Sequence, residues 1–290
     1  MGFGKEINWG LKNMKFIFFV LISIVLMLPS LIHAASITNN NGVVISEQEY
    51  NNFLKIYSSE YIMNMSAAKY NKIKDLDFDN ITTSSKYVES VYNPNLQLTT
   101  EREISKEEFD NYNQIMPRLN DDSTYYESVA KHIMMTIVGG STWNYVTVVL
   151  TWKGIPSTRS FDVIGVRGYG LEFREGSQNG EQIYVLNGNY TTIDYAWNGT
   201  NIQKHDNGFG ISMNIVNSDI TYLQAITECD VTPTIEHPTV YASYQHAVAN
   251  VSLAQSQNYT LGGAGLGSVF VFPYSIAQKY DGMTGIAIGY

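Results

Sequence analysis

"VTVVLTWKGIPSTRSFDVIGVRG", residues 146–168, carries the pattern that decides the fold. Val146, Val148, Leu150 and Trp152 alternate with Thr147, Val149 and Thr151, the period of a β-strand with one buried face. Pro156 has no amide hydrogen for a sheet ladder, so the strand ends before it. Ser157 and Thr158 continue a turn, and "SFDVIGV" begins a second strand. Arg159 and Asp162 stand three residues apart at that start, a spacing that sends strand side chains to opposite faces. The stretch therefore reads as a structural corner built on Pro156, Arg159 and Asp162, and not as a pair acting together.

The same texture extends in both directions. "ESVAKHIMMTIV" puts Val129, Lys131, Ile133, Met135 and Ile137 on one face, and Gly139-Gly140-Ser141 supplies a hairpin turn. Strand-like runs then recur to the C-terminus, broken by Asn-Gly, Asp-Asn-Gly and Gly-Gly, without the long helical patterns that βαβ units need. The expectation is a mainly β protein, with an antiparallel β-sandwich over residues 116–290.

Residues 35–115 read differently, as a short N-terminal helical module and linker. "ISEQEY" offers Ser46 as N-cap with Glu49 as its capping-box partner, and "ISKEEF" repeats the signal with Ser105 and Glu108. Ser58 and Ser66 carry the serine part of the same signature. Tyr50, Phe53, Leu54 and Tyr57 fall on one helical face. Helices this short need something to pack against. Residues 76–100 read as linker, with one strand around Lys86–Val91.

Residues 1–34 have the order of a secretory signal. Lys12 and Lys15 precede an apolar run from Phe16 to Leu28, and a small residue, Ala34, closes the segment. Met14-Lys15 has the look of a natural start. The apolar run is shorter than the roughly 20 residues of a membrane-spanning helix. The expected location is secreted and extracellular. The whole chain has a net charge of −9, and removing residues 1–34 makes the remainder two charges more negative. An acidic chain repels phosphate backbones and anionic head groups, so neither nucleic acid nor an anionic bilayer is an expected partner. With one cysteine, Cys229, no intrachain disulfide can form; its strand-like setting "QAITECDV" predicts a buried thiol.

Candidate chemistry is sparse. Asp75, Asp77 and Asp79 in "DLDFDN" resemble the start of a calcium loop, but Asn80 stands where glycine is expected and Lys86 where a bidentate glutamate is expected. A solvated acidic helix end is the simpler reading. His132, His205, His237 and His246 show no short metal-ligand spacing. His246, in the Tyr-rich "YASYQHAVANV", is the histidine to watch. "GGAGLG" at 262–267 lacks the Lys-Ser/Thr and helix of a phosphate loop and reads as a β-turn. No nucleophile elbow occurs. No cofactor is expected, and no catalytic residue can be assigned.

Several motifs together carry a resemblance: Thr151-Trp152, the corner Pro156–Arg167, Tyr244–Tyr259, Val269–Phe272 and Lys279–Gly285. In these the chain resembles a group of secreted, largely uncharacterised β-rich proteins of Gram-positive bacteria, and faintly the large geobacillin-type bacteriocin-like proteins. The resemblance implies secretion and a β-rich domain, and it assigns no catalytic residues. The function expected is non-enzymatic binding of an extracellular or cell-envelope ligand. The alternatives are a bacteriocin-like protein acting on bacterial membranes and a secreted hydrolase with a distant triad or a metal site.

Overall fold

The corner at Pro156 is where the chain leaves one sheet and enters another. The computed structural model describes residues 36–93, 96, 98–113, 127–262, 269–282 and 284–290. Along the chain run β1 (Ser36–Thr38), β2 (Val44–Ser46), α1 (Glu47–Phe53), α2 (Ser59–Asn64), α3 (Ala67–Ile73), β3 (Asp77–Asn93), β4 (Leu98–Ile104), α4 (Lys106–Asp110) and β5 (Glu127–Gly139). Then come β6 (Asn144–Lys153), β7 (Phe161–Tyr169), β8 (Leu171–Phe173), β9 (Asn179–Leu186), β10 (Asn189–Tyr195), β11 (Ile202–His205), β12 (Gly208–Asn214), β13 (Ile220–Pro233) and β14 (Thr239–Gln245). The C-terminal part adds α5 (Leu253–Ser256), β15 (Thr260–Leu261), β16 (Phe270–Val271), α6 (Tyr274–Ala277) and β17 (Thr284–Gly289).

The protein is mainly β, and its sheets are antiparallel. One sheet has the order β10-β9-β13-β6-β5-β3-β4, with β8 also pairing with β13; the other has β11-β12-β7-β14-β17. A common apolar core draws on both. Val146, Val148, Leu150 and Trp152 of β6 share it with Ile164 and Val166 of β7, Phe209 and Ile211 of β12, and Val240 and Tyr244 of β14. Each such side chain contributes about 1.5–3 kcal/mol by leaving water. Cys229 lies in this core, and burial pushes its thiol well up.

Each sheet is also covered on its other side. Val149, Ile183 and Ile226 of the first sheet pack against Phe53, Ile62 and Ile73 of the three N-terminal helices and against Ile56 and Tyr57 between the first two. Ser46, Ser58 and Ser66 cap those helices, each accepting a backbone N–H three residues on, and Ser46 and Glu49 form the reciprocal box. On the second sheet, Val163 meets Tyr259, Phe270 and Tyr280 of the C-terminal segment. Gly165 is required there, because a Cβ would lie 2.4 Å from the Phe270 ring.

The structure moves one boundary. Residues 76–100 are not a linker: β3 is a strand of 17 residues paired with β5 along most of its length, and β4 pairs with β3. The main sheet therefore begins at Asp77 and not near residue 116, and α4 sits between two of its strands in sequence. The segment read as a signal, 1–34, lies outside the described residues, as does most of the glycine-rich run 262–267. No helix among the described residues is long and apolar enough to cross a membrane.

Candidate functional site

The corner separates Arg159 from Asp162. Arg159 donates to the backbone carbonyls of Pro156, Val216 and Ser218, tying the turn to the loop after β12. Asp162 instead points inward from β7 and is fully buried. Its carboxylate accepts from the Tyr244 hydroxyl, from His246 Nδ1 at 2.9 Å and from the Ala247 N–H at 2.9 Å. The His246 ring meets Trp152 edge-on at 4.9 Å. Burial works against a charged ring, but the Asp162 carboxylate outweighs it and raises the His246 pKa.

This cluster continues into a second buried one. The His246 N–H donates to Asp281 at 2.9 Å, and the other oxygen of Asp281 contacts Lys131 Nζ. Lys131 also reaches Glu101 at 3.2 Å. A histidine oriented by an aspartate is two-thirds of a triad. Among the described residues no Ser or Cys side chain hydrogen-bonds to the His246 ring, and both members are shut away from solvent. The arrangement holds strands together; it does not present a nucleophile.

A third buried network joins the helices to the first sheet. Glu228 of β13 contacts Lys69 of α3, lies 2.5 Å from Lys72 and accepts from the Tyr145 hydroxyl. Tyr57 and Tyr145 share a hydrogen bond of 2.8 Å, and Tyr61 donates to Glu181 at 2.8 Å. Burial would raise the Glu228 carboxyl, yet the two lysines pull it down to about 2.

Beside that network the helical module, the β5–β6 turn and the β8–β9 loop enclose an open cleft of about 630 Å³. Its lining includes Lys72 in the last turn of α3, Asp75 just after it, Trp143 from the turn, Arg174 from the loop, Asn179 at the start of β9, and Asp230 of β13. The loop is pinned in place: the Ser177 hydroxyl donates to the Arg174 carbonyl at 2.7 Å and accepts the Asp230 N–H at 3.0 Å. Arg174 lies 3.4 Å from the Asp230 carboxylate. Burial raises the Asp230 carboxyl against the pull of Lys72 and Arg174. Lys72 and Arg174 stand against three carboxylates, Asp75, Glu175 and Asp230, so the lining carries one net negative charge, and partly exposed Trp143 adds an aromatic residue to it.

The aspartates singled out as a calcium loop do not converge. Asp75, Asp77 and Asp79 are all exposed, and the last two belong to the start of β3. An extended backbone throws alternate side chains along one face and does not wrap them around an ion. Among the described residues no group of three or more His, Cys, Asp or Glu side chains is gathered to hold a metal. His205 sits at a hairpin end, and Glu236 and His237 are an exposed turn. Sequence reading passed over Trp143, Arg174 and Asp230, whose only local signal is a turn and a loop adjoining strands.

No family model and no curated protein matches the sequence. Among solved structures, one named "Pore forming protein" aligns with 57% of this chain and 78% of its own, at 9% identity and a TM-score of 0.23.

Proposed function

We propose that the protein is an exported, non-enzymatic binding protein, a β-sandwich with a helical cap, whose cleft holds a polar extracellular ligand, a glycan segment foremost. The observation that carries this is the cleft itself. Its walls combine an indole face with opposed charges and amide groups, the mixture that stacks on a sugar ring and hydrogen-bonds its hydroxyls. One net negative charge in the lining favours an uncharged ligand over a phosphate. The resemblance to secreted β-rich proteins of Gram-positive bacteria agrees with a partner in the cell envelope. Titrating the protein with N-acetylglucosamine oligomers and with solubilised cell-wall glycan, while following tryptophan fluorescence, tests it. Trp143→Ala weakens the binding by about tenfold, which is about 1.4 kcal/mol. Unchanged fluorescence with both probes, or equal affinity in the variant, would sink this reading.

A second reading, bacteriocin-like action on membranes, is favoured by one feature. Leu96, between β3 and β4, and Leu98, the first residue of β4, are 69% and 53% exposed. Apolar side chains at a hairpin turn suit insertion into a bilayer surface. Dye release from zwitterionic vesicles that is lost in Leu96→Ser/Leu98→Ser supports it, and intact vesicles at micromolar protein remove it.

A further inference from the structure

We propose that Lys131 and Asp281 become joined by a spontaneous isopeptide bond between Lys131 Nζ and Asp281 Cγ, with Glu101 relaying the proton. Three placements carry the inference. Lys131 projects from the core-facing side of β5, between Val129 and Ile133, and its side chain is 0% exposed; that of Asp281 is 1% exposed. The amine and the carboxyl are in direct contact. Glu101 of β4 lies 3.2 Å from the same Nζ. Gly282 makes room for it, since a Cβ there would stand 2.9 Å from Glu101 Cδ. Trp152 closes the site, with its ring centre 5.7 Å from Nζ.

This is the set of groups that amide formation needs. Two carboxyl groups face one amine in a water-poor site. Burial, more than the neighbouring Glu101, pushes Asp281 up to about 6, even against the pull of Lys131. Burial works against the Lys131 ammonium, but Asp281 and Glu101 outweigh it and raise its pKa, so the reacting form, a neutral amine beside a neutral acid, is reached only when the ammonium passes a proton to Asp281. The Nζ lone pair then attacks Cγ and an N–C bond forms. The oxyanion developing on Oδ1 is met by the His246 N–H, already 2.9 Å away. Glu101 takes a proton from Nζ and delivers it to the departing hydroxyl on Oδ2. The C–O bond breaks, one water leaves, and Glu101 ends as it began. No oxidant, reductant or cofactor enters the balance.

The Lys69–Glu228 contact offers a useful contrast. Glu228 is held by a second lysine, Lys72, at 2.5 Å and stays a carboxylate, a poor acceptor for an amine. That contact remains an ion pair. The Lys131–Asp281 bond would clamp β5 of the first sheet to the segment leading into β17 of the second.

Mass spectrometry of the denatured full chain decides. The intact mass, counted from the measured N-terminus, is expected to fall short of the sequence by one water, about 18 Da. Proteolysis is expected to give a branched peptide joining the Lys131 and Asp281 segments, with cleavage after Lys131 blocked. Glu101→Gln keeps the shape and loses the relay, so it should fold with unchanged circular dichroism and show full mass and separate peptides. Full mass in the wild type, or a dehydration mapped to other residues, overturns the bond. A Glu101→Gln protein linked as fast as wild type overturns the relay. The wild-type map stands whether or not any variant folds.

Discussion

Asp162→Ala is expected to cost about 3–5 kcal/mol of folding stability, the range for removing one partner of a buried charge pair. The carboxylate satisfies Tyr244, the His246 ring and the Ala247 N–H at once, in a site closed to water. Alanine leaves all of them buried without an acceptor. Asp162→Asn keeps one acceptor oxygen but not the charge, and should fall between. Urea unfolding reads the effect as a lower midpoint at an unchanged slope. A change under about 1 kcal/mol would show that the core relaxes around the gap. The pH dependence has a definite sign. The folded-state pKa of His246 is raised above its ordinary 6.5, so the pair's contribution is fully present below that value and fades as pH rises through the raised one. The gap between wild type and Asp162→Asn should therefore be widest on the acid side of neutrality.

Glu228→Ala should detach the N-terminal helices before it unfolds the sheets. It leaves Lys69 buried, Lys72 without its partner and the Tyr145 hydroxyl without its acceptor, at a cost of about 3–5 kcal/mol. Hydrogen exchange should rise across residues 47–73 while β5 and β6 stay protected. Uniform loss of protection would show that cap and sheet form one cooperative unit. Acid should act in the same direction. The Glu228 pKa is depressed from 4.5 to about 2 in the folded state, so its contribution is present above 4.5 and is lost as pH falls through about 2.

How far these features can be read from the residues follows their range. Alternation such as Val146–Trp152 is local, because the strand period is two, and so are the serine caps of the helices. The strand read around Lys86–Val91 is the second half of β3; the first half escaped notice for a physical reason. This "DFDNITTSSK" half has only Phe78 and Ile81 as apolar residues and lies largely exposed, so no apolar alternation marks it. Only pairing with β5 holds it extended. Lys131 was visible as the one charge in an apolar row. Its partner was not, since Asp281 sits in a loop 150 residues away. The separation of Arg159 from Asp162 followed from spacing alone; that Asp162 would find His246, 84 residues on, did not. The cleft was invisible because three distant segments form it.

The strand order also sets the sequence of events as the chain is made. β13 and β14, residues 220–245, are interior strands of the two sheets. Without β13, the β9–β10 hairpin has no link to β6, β5, β3 and β4; without β14, β17 has nothing to pair with. A nascent chain can hold hairpins before that stretch emerges, but neither sheet can close. Such late, non-local closure makes for slow folding. Neither sheet has its full set of strands until residues 220–245 are in place.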